Sequence, residues 1–159
     1  MTGNLQTQNP AATAVEETST SQPPTLGANA EETLKKFYGL LNEGDYEDAI
    51  SLYGGSYEIL QGWNPDMDPG DFAGLFQMAC EFNGLMCLKV RDIVSITTTD
   101  ERDFLFEVEF ANPDGSLFVR GPCCGATEEE MPSESVFLVE VDCADDGTCL
   151  VMTLPPYVP

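Results

Sequence analysis

Residues 29–54 read NAEETLKKFYGLLNEGDYEDAISLYG, and their spacing sets the architecture of the chain. Asn29 followed by Glu32 has the form of a capping box: the Asn side chain accepts a backbone N–H and Glu32 returns one. Leu34, Phe37, Tyr38 and Leu41 then recur at i, i+3, i+4 and i+7, the stripe of an amphipathic helix. Gly44 supplies a left-handed stop. Asp45 opens a second helix at once, with Tyr46, Ala49, Ile50 and Tyr53 on one face and Gly54 at its end. Two helices joined this tightly form an αα-hairpin.

Beyond the hairpin the punctuation changes. Residues 62–71, GWNPDMDPGD, are a turn-rich loop in which Asp68 and Pro69 have the character of an N-cap and first helical residue. The third predicted helix carries Phe72, Leu75, Phe76, Ala79 and Cys80 on one side and stops at Asn83-Gly84. From Leu88 the period drops to two. Leu88 and Val90, then Ile93, Val94 and Ile96, predict a strand with a phase break near Asp92, as at a bulge. Phe104, Phe106, Val108 and Phe110 alternate with Asp103, Leu105, Glu107 and Glu109, giving a strand with one apolar face. Asn112-Pro113-Asp114-Gly115 turns the chain into a strand around Leu117–Arg120. Val136–Val141 and Leu150–Leu154 complete the set, and Pro155-Pro156 ends the ladder by removing donors. Three helices followed by a meander predict an α+β domain: helices on one face of a curved, mainly antiparallel sheet of four to five strands. The aromatic face of the strand at 103–110 is expected to meet Phe37, Tyr38 and Phe76.

Upstream, residues 1–28 contain no aromatic residue and no Lys or Arg. Such a segment buries too little apolar surface to offset its ordering entropy, so it reads as a disordered linker or tether, with the domain spanning 29–159. The formal net charge of the 159 residues is −22, which disfavours nucleic acid and anionic lipid as partners. The run Glu128-Glu129-Glu130 reads as a solvated loop.

The six cysteines decide the compartment: Cys80, Cys87, Cys123, Cys124, Cys143 and Cys149. A zinc site would want C-x-x-C knuckles or His, and the chain has neither. A catalytic thiol would want an activating cation, and Lys plus Arg number only six. Disulfides fit best. A three-residue loop at 145–147 sets Cys143 opposite Cys149, within reach of a bridge. A vicinal Cys123–Cys124 bridge strains the backbone, so Cys80 and Cys87 are each expected to crosslink to the loop GPCCG (121–125), with a local Cys80–Cys87 bridge as the alternative. Crosslinks closing loops of roughly 40 residues would each stabilise by about 3–4 kcal/mol. An even cysteine count beside a polar tether implies an oxidising, extracytoplasmic location.

The string KKFYGLLNEGDYEDAISLY (35–53) resembles the opening helices of the nuclear transport factor 2-like superfamily, also described as SnoaL-like or cystatin-like α+β cones. The residues that carry the likeness are Phe37, Tyr38, Leu41, Gly44, Asp45, Tyr46, Ala49, Leu52 and Tyr53. Residues 29–159 as a whole are most similar to bacterial lipoprotein domains of that fold, which end in an LPPY-like tail, here Leu154–Tyr157. The resemblance implies a conical fold with an apolar pocket between helices and sheet, for which Phe37, Tyr38, Tyr53, Tyr57, Trp63, Phe76, Phe104 and Phe106 are the candidates. It does not imply an activity.

Enzymes of the superfamily resembling ketosteroid isomerase or scytalone dehydratase need a poised acid–base pair. The dehydratase-type His has no counterpart here, and Tyr38, Tyr53, Tyr57 and Asp71 read first as core edge or cap. Residues 64–68, NPDMD, fail as a calcium loop because Pro69 replaces the needed Gly and Leu75 the needed Glu. Trp63 reads as a lid on the core or as a binding anchor. The expectation is an exported, tethered, non-catalytic domain without cofactor or metal. It would bind a small apolar ligand or an envelope protein, and touch membrane only through an anchor removed from its N-terminus. A pocket enzyme and a domain filled by its own side chains are the alternatives.

Overall fold

A computed structural model describes Gly3 and residues 25–159. The predicted tether therefore lies almost wholly outside the described residues. Its last residues do not: the first helix, α1 (Leu26–Glu43), starts three residues before Asn29. Thr25 is the cap, accepting from the Ala28 N–H at 3.3 Å. The earlier start adds Ala30 to the buried stripe of Leu34, Phe37, Tyr38 and Leu41, and packs Leu26 against it. Asn29 instead donates through Nδ2 to the Gly147 carbonyl at 3.4 Å.

Four helices form where three were expected. After α1, α2 (Tyr46–Ile50) is shorter than predicted. Tyr53 leaves it to form a parallel bridge with Val151, although its ring stays in the core. The unexpected element is α3 (Glu58–Trp63). The next, α4 (Phe72–Glu81), is capped by Asp71, which accepts from the Gly74 N–H at 3.0 Å. Asp68, the predicted cap, closes the preceding turn by accepting from Gly70 N at 2.9 Å.

The sheet has four strands in the order β1 (Lys89–Thr98), β2 (Asp103–Ala111), β3 (Phe137–Cys143) and β4 (Cys149–Val151), all antiparallel. The phase break near Asp92 is present: register shifts fall between Val90 and Asp92 and between Ile93 and Ser95. The predicted strand at 117–120 is not a strand. Its residues make isolated bridges from Leu117 to Ala111 and from Arg120 to Glu134, while Phe118 N bonds Phe110 O at 2.9 Å. The last strand is shorter than Leu150–Leu154: Met152 N still bonds the Glu140 carbonyl at 2.8 Å, but Glu140 N goes to the Thr153 hydroxyl at 2.9 Å instead of a backbone carbonyl.

The strict alternation of β2 sends Phe104, Phe106, Val108 and Phe110 into the core. They meet the stripe of α1, where the rings of Tyr38 and Phe110 lie 4.8 Å apart. Phe37 is stacked with Tyr53 at 5.7 Å and meets Phe76 of α4 edge-on at 5.9 Å. Full burial of each such side chain stabilises by roughly 1.5–3 kcal/mol.

Two disulfides form. Cys143 and Cys149 pair directly across the β3–β4 hairpin, Cα atoms 4.0 Å apart, as their spacing predicted. Cys80 and Cys87 pair with each other, Cα atoms 5.5 Å apart. The expected crosslinks to the GPCCG loop are therefore absent, and Cys123 and Cys124 are unbonded. Gly84 explains the difference. Its φ of 85° reverses the chain directly after α4 and brings Cys87 back beside Cys80. Two disulfides in so small a domain point to an oxidising compartment. Among the described residues, no helix is long and apolar enough to cross a membrane.

One polar pair works against the sheet. Asp103 and Asp142 stand directly opposite on β2 and β3, and one buried oxygen of Asp142 has no partner among the described residues. Burial pushes the Asp142 carboxyl up, with the charges of Asp103 and Glu140 adding to the shift. A carboxyl raised in the folded state binds its proton more tightly there than in the unfolded chain. The penalty is thus absent below the unfolded value near ~3.9 and grows as pH rises through the raised folded value. Asp142→Asn is expected to stabilise the protein at neutral pH by about 0.2–1 kcal/mol. In a pH series of thermal melts, that advantage should disappear under acid conditions.

Candidate functional site: an apolar cleft floored by Tyr38

The described residues form a cleft of about 480 Å³, within the size range of small-molecule sites. It lies at the edge of the core, where α3, the start of β3 and the C-terminal tail converge. Ile59 and Trp63 come from α3, Leu85 from the α4–β1 connection, and Val136–Val139 from the entry to β3. Leu154, Pro155, Pro156 and Tyr157 supply the remaining wall.

The tail is held by the same reversal that joins the first disulfide. Met86 N bonds Pro156 O at 2.7 Å, Val158 N bonds Gly84 O at 2.9 Å, and Leu85 bridges Tyr157. A side chain at Gly84 would collide with the Val158 carbonyl, since a Cβ there would lie 2.1 Å from that oxygen. Trp63 then packs against Tyr157, ring centres 4.9 Å apart.

Two charged side chains line the cleft, and they neutralise each other. Arg120 and Glu134 exchange backbone hydrogen bonds at 2.8 and 2.9 Å and form a side-chain ion pair. The Arg120 guanidinium also lies 5.4 Å from the centre of the Phe137 ring and donates to the Tyr157 carbonyl at 3.4 Å. Exposed Ile59, Val136 and Leu138 leave the mouth apolar.

Tyr38 lines the inner end. It is fully buried, and its hydroxyl has no hydrogen-bond partner among the described residues. Burial, and secondarily the Tyr53 phenol, push its pKa far above the ordinary tyrosine value, so the group remains a neutral O–H. An unpaired buried hydroxyl costs about 1–3 kcal/mol, which a ligand atom able to bond it would recover.

The eight pocket residues singled out in the sequence divide. Tyr38 and Trp63 line the cleft. Phe37, Tyr53, Phe76, Phe104 and Phe106 are buried within the core cluster. Tyr57 is half-buried and stacks on Phe72, ring centres 4.1 Å apart, with its phenol pushed up to about 12 by burial. Tyr53 donates to the Ser56 carbonyl at 3.1 Å. Asp71 is a helix cap, and the stretch 64–68 is a turn closed by Met67 N on Asn64 O at 3.1 Å. Sequence reasoning passed over Leu85, Arg120, Glu134 and residues 136–139. The LPPY tail stood out only as the end of the sheet and as part of a family likeness. The acidic run at 128–130 does more than meet solvent: Glu128 accepts from Ser133 N and Oγ, and Glu130 from Thr127 N and Oγ. These bonds, backbone donors foremost, hold both carboxyls below their ordinary values.

Among the described residues, no three His, Cys, Asp or Glu side chains are grouped so as to hold a metal ion. No protein-family model and no curated protein matches the chain.

Proposed function

We propose that this chain is an exported, tethered, non-catalytic domain. It binds a small apolar molecule carrying one hydrogen-bonding oxygen in the cleft between α3, β3 and the tail. The observation that carries the reading is the unpaired, buried hydroxyl of Tyr38, a residue lining a cleft whose other walls are apolar apart from Thr153 and the Arg120–Glu134 ion pair. A neutral phenol donates to a carbonyl or hydroxyl without asking for charge. The chain's net charge of −22 further favours neutral ligands over anions. The two disulfides support the exported location.

The resemblance to the nuclear transport factor 2-like cone belongs to the same reading. Its support is helices packed on an antiparallel sheet around an aromatic interior. The chain's own Phe side chains fill that interior, which moves the binding site to the open edge. The isomerase- or dehydratase-like alternative is the weaker one. It needs a carboxylate or imidazole facing the phenol, and the cleft's single carboxylate is engaged by Arg120.

Trp63 is the chain's sole tryptophan and lies in the cleft wall, so its fluorescence reports occupancy directly. Titration with neutral cyclic ketones, from cyclohexanone to camphor, is expected to give a saturable change. Tyr38→Phe is expected to weaken ketone binding roughly three- to tenfold, while leaving the parent hydrocarbon's binding unchanged. The same substitution should stabilise the free protein by about 1 kcal/mol, because it deletes an unsatisfied group. A ketone response that Tyr38→Phe leaves intact would remove the phenol from the site. No response to any neutral probe would favour a protein partner on this face.

A further inference from the structure

The pairing of Cys80 with Cys87 leaves Cys123 and Cys124 alone in a chain whose other four cysteines are oxidised. Their sulfurs lie 2.7 Å apart. Cys124 is exposed and Cys123 half-buried, so a small thiol or disulfide can reach them. The backbone is already bent for the purpose. Ala126 N bonds Cys123 O at 3.0 Å, closing a four-residue turn. Its two central residues have positive φ: 61° at Cys124 and 88° at Gly125. Cys124 is the single non-glycine residue with positive φ among those described. Such an outlier persists only where its surroundings over-determine it, and points from geometry to use. Gly125 supplies the other left-handed position freely. Outside the turn, Met131, Tyr157, Val158 and Pro159 border an apolar recess of about 430 Å³ on which the two thiols open.

We propose that Cys123 and Cys124 are a redox site that closes into a vicinal disulfide by exchange with a low-molecular-weight disulfide such as oxidised glutathione. The exposed Cys124 thiolate attacks one sulfur of that disulfide, forming a mixed disulfide and expelling one small thiolate. The Cys123 thiolate then attacks the Cys124 sulfur of the mixed bond and expels the second. The two protein S–H groups lose two electrons and two protons, and the external disulfide is reduced to two thiols. The order of attack follows from access and from the hydrogen bond with Cys124, which is the chief cause pushing the Cys123 thiol up. Closure needs no rearrangement of distant elements, because turn and sulfurs are already placed. Cys143 and Cys149 are buried and Cys80 and Cys87 half-buried, so the exposed pair is also the first to be reduced. The inference is independent of what the cleft binds.

The test uses the full chain in glutathione buffers of graded redox ratio, with free thiols alkylated and tryptic fragments read by tandem mass spectrometry. In oxidising buffer, the fragment beginning at Gly121 should carry an intramolecular Cys123–Cys124 bond and no retained glutathione. Limited phosphine should open that bond first, while Cys80–Cys87 and Cys143–Cys149 stay closed. Cys123→Ser should trap glutathione on Cys124, because the resolving thiol is gone. A lasting glutathione adduct on the unsubstituted chain, a Cys124-linked dimer, or two free thiols beside four paired cysteines would overturn the proposal.

Discussion

Phe37→Ala is expected to lower the unfolding free energy by about 3–5 kcal/mol, the usual cost of emptying a fully buried aromatic site. Phe37 has no exposed surface and touches three aromatic neighbours: Tyr38 at 5.2 Å, Tyr53 at 5.7 Å and Phe76 at 5.9 Å between ring centres. These partners come from α1, the segment after α2, and α4. The ring therefore joins three separate parts of the chain, and no single neighbour can shift to fill its place. Against a typical stability of about 5–15 kcal/mol, the loss brings the domain near its unfolding threshold. Urea titration followed by far-ultraviolet circular dichroism measures it. A loss near the ~1 kcal/mol of an ordinary substitution would mean that Phe37 does not sit at the junction of the helices.

Removing both disulfides should cost a similar amount. The bonded residues lie 7 and 6 positions apart, so each bridge closes a short loop. In the chain-entropy relation, each then contributes about 2 kcal/mol, and the pair about 4–5 kcal/mol. Replacing all four cysteines by Ala, or thorough reduction, should give the same large fall in melting temperature. The Cys80–Cys87 bridge has a second role, since the reversal it closes also anchors the tail through Gly84 and Met86. The Cys80→Ala/Cys87→Ala variant should loosen the tail and raise the exposure of Trp63. Removing Cys143–Cys149 should not. Melting insensitive to reductant would contradict this placement of the staples.

The segments that could be read in advance are those where local chemistry and tertiary packing agree. The β2 alternation of Phe104, Phe106, Val108 and Phe110 became a buried face without a break. The Cys143–Cys149 hairpin formed in register because the turn at 145–147 leaves little freedom. Helix α3 was not legible: six residues contain too few turns to show a helical period, and Gly62 sits inside it. Its start is secured by a single side chain, Ser56, which accepts from Glu58 N at 3.2 Å.

The cleft was legible only in part, through Tyr38 and Trp63. Its other walls come from 59, 85, 120, 134, 136–139 and 153–157, most of which are brought together by the Gly84 reversal and the Arg120–Glu134 bridge. Neither pairing has a local sequence pattern. The cysteine pairing misled for a related reason. The preferred crosslinks followed from setting aside a strained vicinal bridge, which takes no account of the left-handed Gly84 that folds Cys87 onto the end of α4 and forms the local Cys80–Cys87 bridge held as the alternative.

The account stands or falls on where a small neutral ligand sits. Nuclear Overhauser contacts between camphor and the full chain test this most directly. Contacts to the ring protons of Tyr38, the indole of Trp63 and the methyls of Leu154 are expected. Contacts confined to the exposed outer strands, or none at saturating ketone, would contradict it.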